Sequence, residues 1–341
     1  MNARKHANAP PGHPPVAHGR VGVLLINLGT PDAPEPGAVR RYLAEFLTDP
    51  RVIEIPPWLW RPILHGAVLR LRPKKSAHAY KQVWSEEGSP LAVITRRQAE
   101  ALQEKLGDAA IVDWAMRYGN PGVAGAVEKM VKAGCERILA APLYPQYCAA
   151  TTASAQDALF AALAELRWQP ALRTLPPYYD DAAYIGALKE SLERQLSKLS
   201  FAPQRLLLSF HGMPQRTLEL GDPYHCHCQK TARLLGEKLS IPTDIAFQSR
   251  FGRAKWLEPS TESVLSSYPA NGLTRVAIAA PGFSADCVET LEELGIRGRE
   301  TFLSAGGEEL ARLDCLNDSP EGIVMLERLV RRELAGWDVG E

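Results

Sequence analysis

Apolar and polar residues alternate along this chain in two rhythms. Short unbroken apolar runs that stop at Gly or Pro read as parallel strands buried on both faces. Two examples are Val21-Gly22-Val23-Leu24-Leu25-Ile26-Asn27-Leu28-Gly29-Thr30-Pro31 and Arg205-Leu206-Leu207-Leu208-Ser209-Phe210-His211-Gly212-Met213-Pro214. Between such runs, apolar positions recur at helical spacing over 95–106, 122–133, 182–199, 228–239 and 260–267. Strands alternating with helices of this length predict an α/β fold of parallel sheets joined by crossover connections.

The two buried runs look like copies of one another, and two further correspondences follow in the same order. Trp114-Ala115-Met116-Arg117-Tyr118-Gly119 resembles Phe247-Gln248-Ser249-Arg250-Phe251-Gly252, and the strand ending at Pro142-Leu143-Tyr144 resembles the one ending at Pro281-Gly282-Phe283. The pattern predicts two similar halves, about 21–165 and 175–320, with Pro176-Pro177 marking the passage between them. Ligands bind at the carboxyl ends of parallel strands, so the crevice between the halves is the expected site. His211 stands at such a strand end, where it is either a group for chemistry or a hydrogen-bonded turn residue. Its counterpart in the first copy is Asn27, so the scaffold itself does not demand a histidine there.

One stretch breaks the rhythm. Ile53-Glu54-Ile55-Pro56-Pro57-Trp58-Leu59-Trp60 continues as a helical pattern to Leu71 and then meets Arg72-Pro73-Lys74-Lys75. It reads either as core packing under a loop or as an apolar lip around a pocket for a large, flat ligand. Tryptophan flanked by Lys and Arg also suits a membrane surface. Residues 1–20 hold four prolines and three histidines without an apolar core, which predicts a disordered tail and not a secretory signal. No apolar run approaches the roughly 18–20 residues that span a bilayer. The 39 basic and 39 acidic residues cancel, which argues against a nucleic-acid partner. Six cysteines in 341 residues do not form a disulfide framework, and predict a reducing, cytoplasmic setting.

Asp286, Glu289 and Glu293 fall at i, i+3 and i+7, one face of a helix that begins at a strand end. Asp286 reads equally well as a helix cap. Glu289 and the strand-end His211 make a plausible pair for holding a metal or moving protons. His225-Cys226-His227-Cys228 follows Asp222-Pro223, a helix start. Four adjacent ligands in a first turn point around the axis, so they read as a surface turn and not as a metal site. Arg117 is either salt-bridged or set to meet a carboxylated ligand, and Tyr144 either packs or stacks on a planar one. Neither G-x-x-x-x-G-K-[ST] nor a strand followed by G-x-G-x-x-G is present.

Taken together, Leu28-Gly29-Thr30-Pro31, Leu143-Tyr144-Pro145-Gln146-Tyr147, Ser209-Phe210-His211-Gly212-Met213-Pro214, Gly221-Asp222-Pro223-Tyr224, Phe247-Gln248-Ser249-Arg250 with Trp256-Leu257, and Asp286-Cys287-Val288-Glu289-Thr290-Leu291 closely resemble ferrochelatase over about residues 20–335. The resemblance implies insertion of Fe²⁺ into protoporphyrin IX to form haem. The alternatives are a carrier of porphyrin or haem, or a chelatase for another tetrapyrrole or metal. It implies two similar Rossmann-like halves with parallel four-stranded sheets flanked by helices, at 21–170 (with the lip at 52–72) and 171–335, and an active-site cleft between them. It makes His211 and Glu289 the catalytic and iron-handling pair, with Asp286 and Glu293 as a metal path. Arg72, Tyr80, Ser89, Arg117, Tyr144 and Trp256 become porphyrin-cleft residues, and Trp58 and Trp60 a point of peripheral membrane contact. Some relatives carry His where Cys287 stands. Some hold a [2Fe–2S] cluster on cysteines of a C-terminal extension, where this chain has only Cys315, so no cluster, no other resident cofactor and a monomer are expected.

Overall fold

In a computed structural model, residues 19–252 and 254–337 are described; the tail expected at 1–20 lies outside them up to residue 18. Four parallel strands, β1 (Arg20–Thr30), β2 (Ile111–Gly119), β3 (Cys135–Pro142) and β4 (Ala171–Thr174), form one sheet in the order β2-β1-β3-β4. Four more, β5 (Arg205–His211), β6 (Thr243–Gln248), β7 (Arg275–Ala279) and β8 (Glu309–Arg312), form a second in the order β6-β5-β7-β8. The two orders are the same, as the repeat predicts. Leu24 pairs with Ala140 and Leu208 with Ala279, each two residues before the strand-end Pro142 or Pro281. Asn27 and His211 follow three residues on and are structural equivalents.

The expected boundary at 171 needs correction. β4 begins there and pairs with β3, so the first sheet is complete only at Thr174, and the chain crosses over at Pro176-Pro177. The last helix (Pro320–Leu334) also departs from a simple two-half division. It packs on the helices Ala182–Leu196 and Pro90–Leu106. Arg173 Nη1 donates to the Glu333 and Ala335 carbonyls at its end, at 2.6 and 2.9 Å.

Side-chain alternation along the central strands explains why the halves dock. Val21, Val23 and Leu25 of β1 share one core with Leu206, Leu208 and Phe210 of β5, whereas Leu24 and Ile26 face a separate cluster and Leu207 a third. Each fully buried Leu or Ile is worth about 1.5–3 kcal/mol, so exposing the shared face would be costly.

Two glycines set the strand ends. Gly29 has φ +121°, and a Cβ there would lie 1.9 Å from the Tyr118 carbonyl oxygen. A Cβ on Gly212 would lie 2.5 Å from the Gln248 carbonyl oxygen and 3.3 Å from the Trp256 ring. The chain after His211 therefore runs tight against the end of β6.

The lip folds as an α-helical turn (Pro57–Ile63), a π-helical turn (Leu64–Val68) and an α-helix (Leu69–Val83). The helix expected to stop near Leu71 continues through Pro73. Leu69, Pro73, Ala77 and Tyr80 are buried along one side of it, and tertiary packing there outweighs the donor that proline removes.

Candidate active site

His211 closes β5, half-buried, beside Phe283 at 6.4 Å between ring centroids. Its Nδ1 lies 2.7 Å from the Gly212 carbonyl oxygen. A carbonyl only accepts, so Nδ1 carries a proton and, in the neutral form of the ring, the lone pair lies on Nε2, for which no hydrogen-bond partner is found among the described residues. Such a nitrogen can take up a proton or bind a cation.

Glu289 opens a segment wound as a π-helix over Glu289–Gly298, a rare geometry often found at functional sites. Gln248, paired in register with His211, links the two candidates. Its carbonyl accepts from Gly212 N–H (2.7 Å), its Nε2 donates to the Glu289 carbonyl (2.9 Å), and its Oε1 accepts from Ser209 Oγ (2.7 Å). It is only 3% exposed. Burial pushes the Tyr80 hydroxyl of the first half and the Cys287 thiol up, and the nearby Glu289 carboxylate, which the Cys287 thiol also contacts, adds to both. Val288, next in the chain, packs with Tyr42, Tyr80 and Tyr118.

The acidic path does not continue from Glu289 as expected. Asp286 is 3% exposed and fully committed: it accepts from Thr290 Oγ1 (2.6 Å), Arg312 Nη1 (3.0 Å) and Asn317 Nδ2 (2.7 Å). It is a buried hub that ties the segment before Glu289 to β8 and to Asn317, and not the helix cap its position allowed: the π-helical segment carries no side-chain cap bond. Glu293 accepts from the Ser249 backbone N–H (2.7 Å) and Oγ (2.6 Å), with Arg297 Nη2 at 3.8 Å. Ser249 has φ +62°, an uncommon conformation for a non-glycine residue, and Glu293 braces it. The i, i+3, i+7 pattern assumed an α-helix, whereas Asp286 precedes the π-helical segment and follows a different geometry.

The first half supplies the other wall. Tyr80 and Ser89, expected against the porphyrin, are 8% and 5% exposed. The Ser89 hydroxyl bonds the Thr30 hydroxyl at 2.7 Å, so this pair supports the wall from behind. Arg117 does not reach out for a carboxylated ligand. Its Nη2 binds Asp49 at 2.5 Å, its Nε donates to Ser154 Oγ at 2.7 Å, and its guanidinium lies over the Tyr118 ring. Burial alone would push the Asp49 carboxyl up. Hydrogen bonds from Ser154, Tyr118 and the Arg51 N–H, with the Arg117 charge, outweigh burial and hold it below the ordinary carboxylate value. Tyr144 is partly buried against the outer cluster of the first half.

Trp256 lies over the turn after His211, its Nε1 donating to the Phe251 carbonyl at 3.0 Å and its ring 5.1 Å from Phe251. Arg72 stacks 4.9 Å over Phe251 from the lip side, and burial lowers its pKa. Phe251, Gln248 and Asp49 carry this geometry without having been assigned a role from the sequence. Gln248 was marked by its strand end and by the Phe247-Gln248-Ser249-Arg250 motif but given no role, Phe251 only by its strand-end position, and nothing local marked Asp49.

Trp58 is 73% exposed, with Leu59, Ile63, Ile55 and Leu71 exposed around it. Trp60 turns inward and donates from Nε1 to the Leu47 carbonyl at 2.6 Å, so it anchors the lip and does not extend it. His227 of the His-Cys run accepts the Tyr147 N–H on Nδ1 at 3.1 Å and stacks on Tyr179 at 3.6 Å. Among the described residues, no three His, Cys, Asp or Glu side chains come together as a metal site. No described helix is long and apolar enough to cross a membrane.

Comparison with known proteins agrees with this arrangement. Among solved structures, SirB from Bacillus subtilis with Fe³⁺ superposes with a TM-score of 0.57 at 13% identity, over 93% of this chain and 96% of that one. CbiX, the terminal enzyme of sirohaem biosynthesis in denitrifying bacteria, gives 0.51 at 15% identity, over 92% of this chain and 100% of that one. At such identities these show the chelatase fold alone. In sequence, ferrochelatase of Rhizobium meliloti is 52% identical over 95% of this chain and 98% of its own length. That of Mesorhizobium japonicum is 51% identical over 98% and 97%. The ferrochelatase family profile matches residues 20–334, and the chain belongs to the ferrochelatase family.

Proposed function

We propose that this protein inserts ferrous iron into protoporphyrin IX to form protohaem, with the porphyrin held between the halves and Fe²⁺ as a substrate. The observation that supports the catalytic assignment is the His211 contact at the strand end: Nδ1–H is spent on the Gly212 carbonyl, so the lone pair of the neutral ring falls on Nε2. Metalation must remove two pyrrole N–H protons and strip water from the cation. A neutral imidazole accepts a proton at Nε2 or binds Fe²⁺, and the Glu289 carboxylate neutralises charge and relays a proton. Trp256 and Phe283 exclude water around His211. Arg72 at the mouth meets the porphyrin carboxylates, Tyr144 lines the first-half wall, and Arg117, Tyr80 and Ser89 stiffen that wall.

The exposed apolar edge at Trp58, Leu59 and Ile63, beside Arg61 and Arg70, rests on a membrane surface, and the protein acts there as a monomer. A carrier would need the cleft but not a strand-end imidazole tied through Gln248 to the segment that bears Glu289.

The test is anaerobic Fe²⁺ with protoporphyrin IX, followed by absorbance, for the wild type and His211→Ala. The wild type should form haem well above the buffer rate and the variant should lose most of that rate while retaining porphyrin binding. A wild type no faster than buffer refutes the enzyme reading; an unimpaired variant refutes the role of His211.

A further inference from the structure

Three buried residues that each carry an unpaired polar atom line one small, mostly apolar cavity at the seam between the halves, away from His211. Gln98 Oε1, Tyr178 Oη and Ser284 Oγ each lack a hydrogen-bond partner among the described residues, and all three residues line the same space. Their residues are 1%, 2% and 8% exposed. Orphaned buried groups of this kind each cost about 1–3 kcal/mol when truly unpaired, so three around one cavity require an explanation.

The three come from different parts of the fold. Gln98 sits on the helix Pro90–Leu106 of the first half, Tyr178 follows the Pro176-Pro177 crossover, and Ser284 begins the segment leading from β7 to Glu289. Gln98 already bridges the halves through Nε2, which donates to the Ser284 and Asn317 carbonyls at 3.0 and 2.8 Å. The cavity volume is about 10 Å³, close to the space one water centre requires. An apolar filler of that size would leave all three groups unpaired.

We propose that this cavity is a binding site for a single structural water that ties the Glu289-bearing segment to the first half. Donors and acceptors suffice for one bond from the water to each of the three groups. Gln98 Oε1 only accepts and takes one water hydrogen. One of the two hydroxyls takes the other, and the remaining hydroxyl donates to the water oxygen, giving the three bonds typical of a buried water.

A high-resolution crystal structure of the full chain tests the site. Ordered water density within hydrogen-bond distance of Gln98 Oε1 and at least one of the two hydroxyls is expected. A dry cavity, or the three groups bonded directly to one another, overturns the proposal. A cycle of Tyr178→Phe, Ser284→Ala and the double variant tests the strut in solution. If one water joins them, the fold-changes in the unfolding equilibrium constant do not multiply, because the second deletion removes a partner from a water already weakened. Fold-changes that multiply as for independent sites overturn the strut.

Discussion

Replacing Gln248 by Met tests whether the two halves of the candidate pair are held by one side chain. Methionine keeps the length and apolar bulk of glutamine but can neither donate to the Glu289 carbonyl nor accept from Ser209. Ser209 loses little, because its hydroxyl also lies 2.8 Å from Thr261 Oγ1. The Glu289 carbonyl loses its 2.9 Å donor at the start of the π-helical segment. That carbonyl is part-buried and keeps its intrahelical partner, so the loss is the net worth of one hydrogen bond, roughly 1 kcal/mol. With an unfolding entropy of about 2.1 cal/mol/K per residue, a chain of 341 residues gives ~0.7 kcal/mol/K and a fall in Tm of about 1.4 °C. Because Glu289 then shifts relative to His211, kcat for iron insertion should fall about tenfold, ~1.4 kcal/mol of barrier, with KM for porphyrin little changed. Differential scanning calorimetry and anaerobic steady-state kinetics read the two effects. An unchanged Tm refutes the bond; a lowered Tm with wild-type kcat shows that Gln248 braces the fold without positioning Glu289.

Three further outcomes are expected. Burial lowers the His227 pKa below its ordinary value despite the nearby Asp180 and Asp222, so the unfolded chain binds the proton more readily. Its stabilising contribution is full above about pH 6.5 and is lost as pH falls through the lower folded value. His227→Phe, which keeps a ring on Tyr179, should flatten the dependence of the urea midpoint on pH in that window; an unchanged slope refutes the assignment. Arg117→Met strips the cation from Asp49, whose side chain is 3% exposed, and should cost about 3–5 kcal/mol in urea unfolding; a loss below ~1 kcal/mol would contradict the buried network. Trp58→Ala should weaken binding to acidic phospholipid vesicles with little change in Tm, whereas Trp60→Ala should lower Tm through the lost bond to Leu47; identical behaviour of the two would refute the division of the lip.

Much of this protein was legible before any coordinates. Apolar runs ending in Gly or Pro marked β1, β3, β5 and β7 because a parallel strand covered on both faces tolerates few polar residues. The internal repeat predicted that Asn27 and His211 are equivalent, and the pairing of Leu24 and Leu208 agrees. Less legible were features that depend on what lies opposite in space. Helical spacing set Asp286 in line with Glu289, yet Arg312 and Asn317, supplied from β8 and the segment beyond it, commit its carboxylate elsewhere. Asp49 lies in an unremarkable loop and becomes a buried hub only because Ser154 and Arg117 arrive from more than sixty residues away.

By itself, the sequence determined the strand–helix alternation, the duplicated architecture, the strand-end position of His211 and the apolar character of the lip. These depend on periodicity and local turn chemistry, which are written into neighbouring residues. Tertiary structure alone decided which partners each acid meets. Glu289 lies near Tyr80 and Cys287, while Asp286 and Glu293 are each taken up by partners on other segments. It also turned Trp60 inward while leaving Trp58 exposed. A side chain's availability depends on the donors and surfaces that long-range packing brings to it, and these are not encoded in its own neighbourhood.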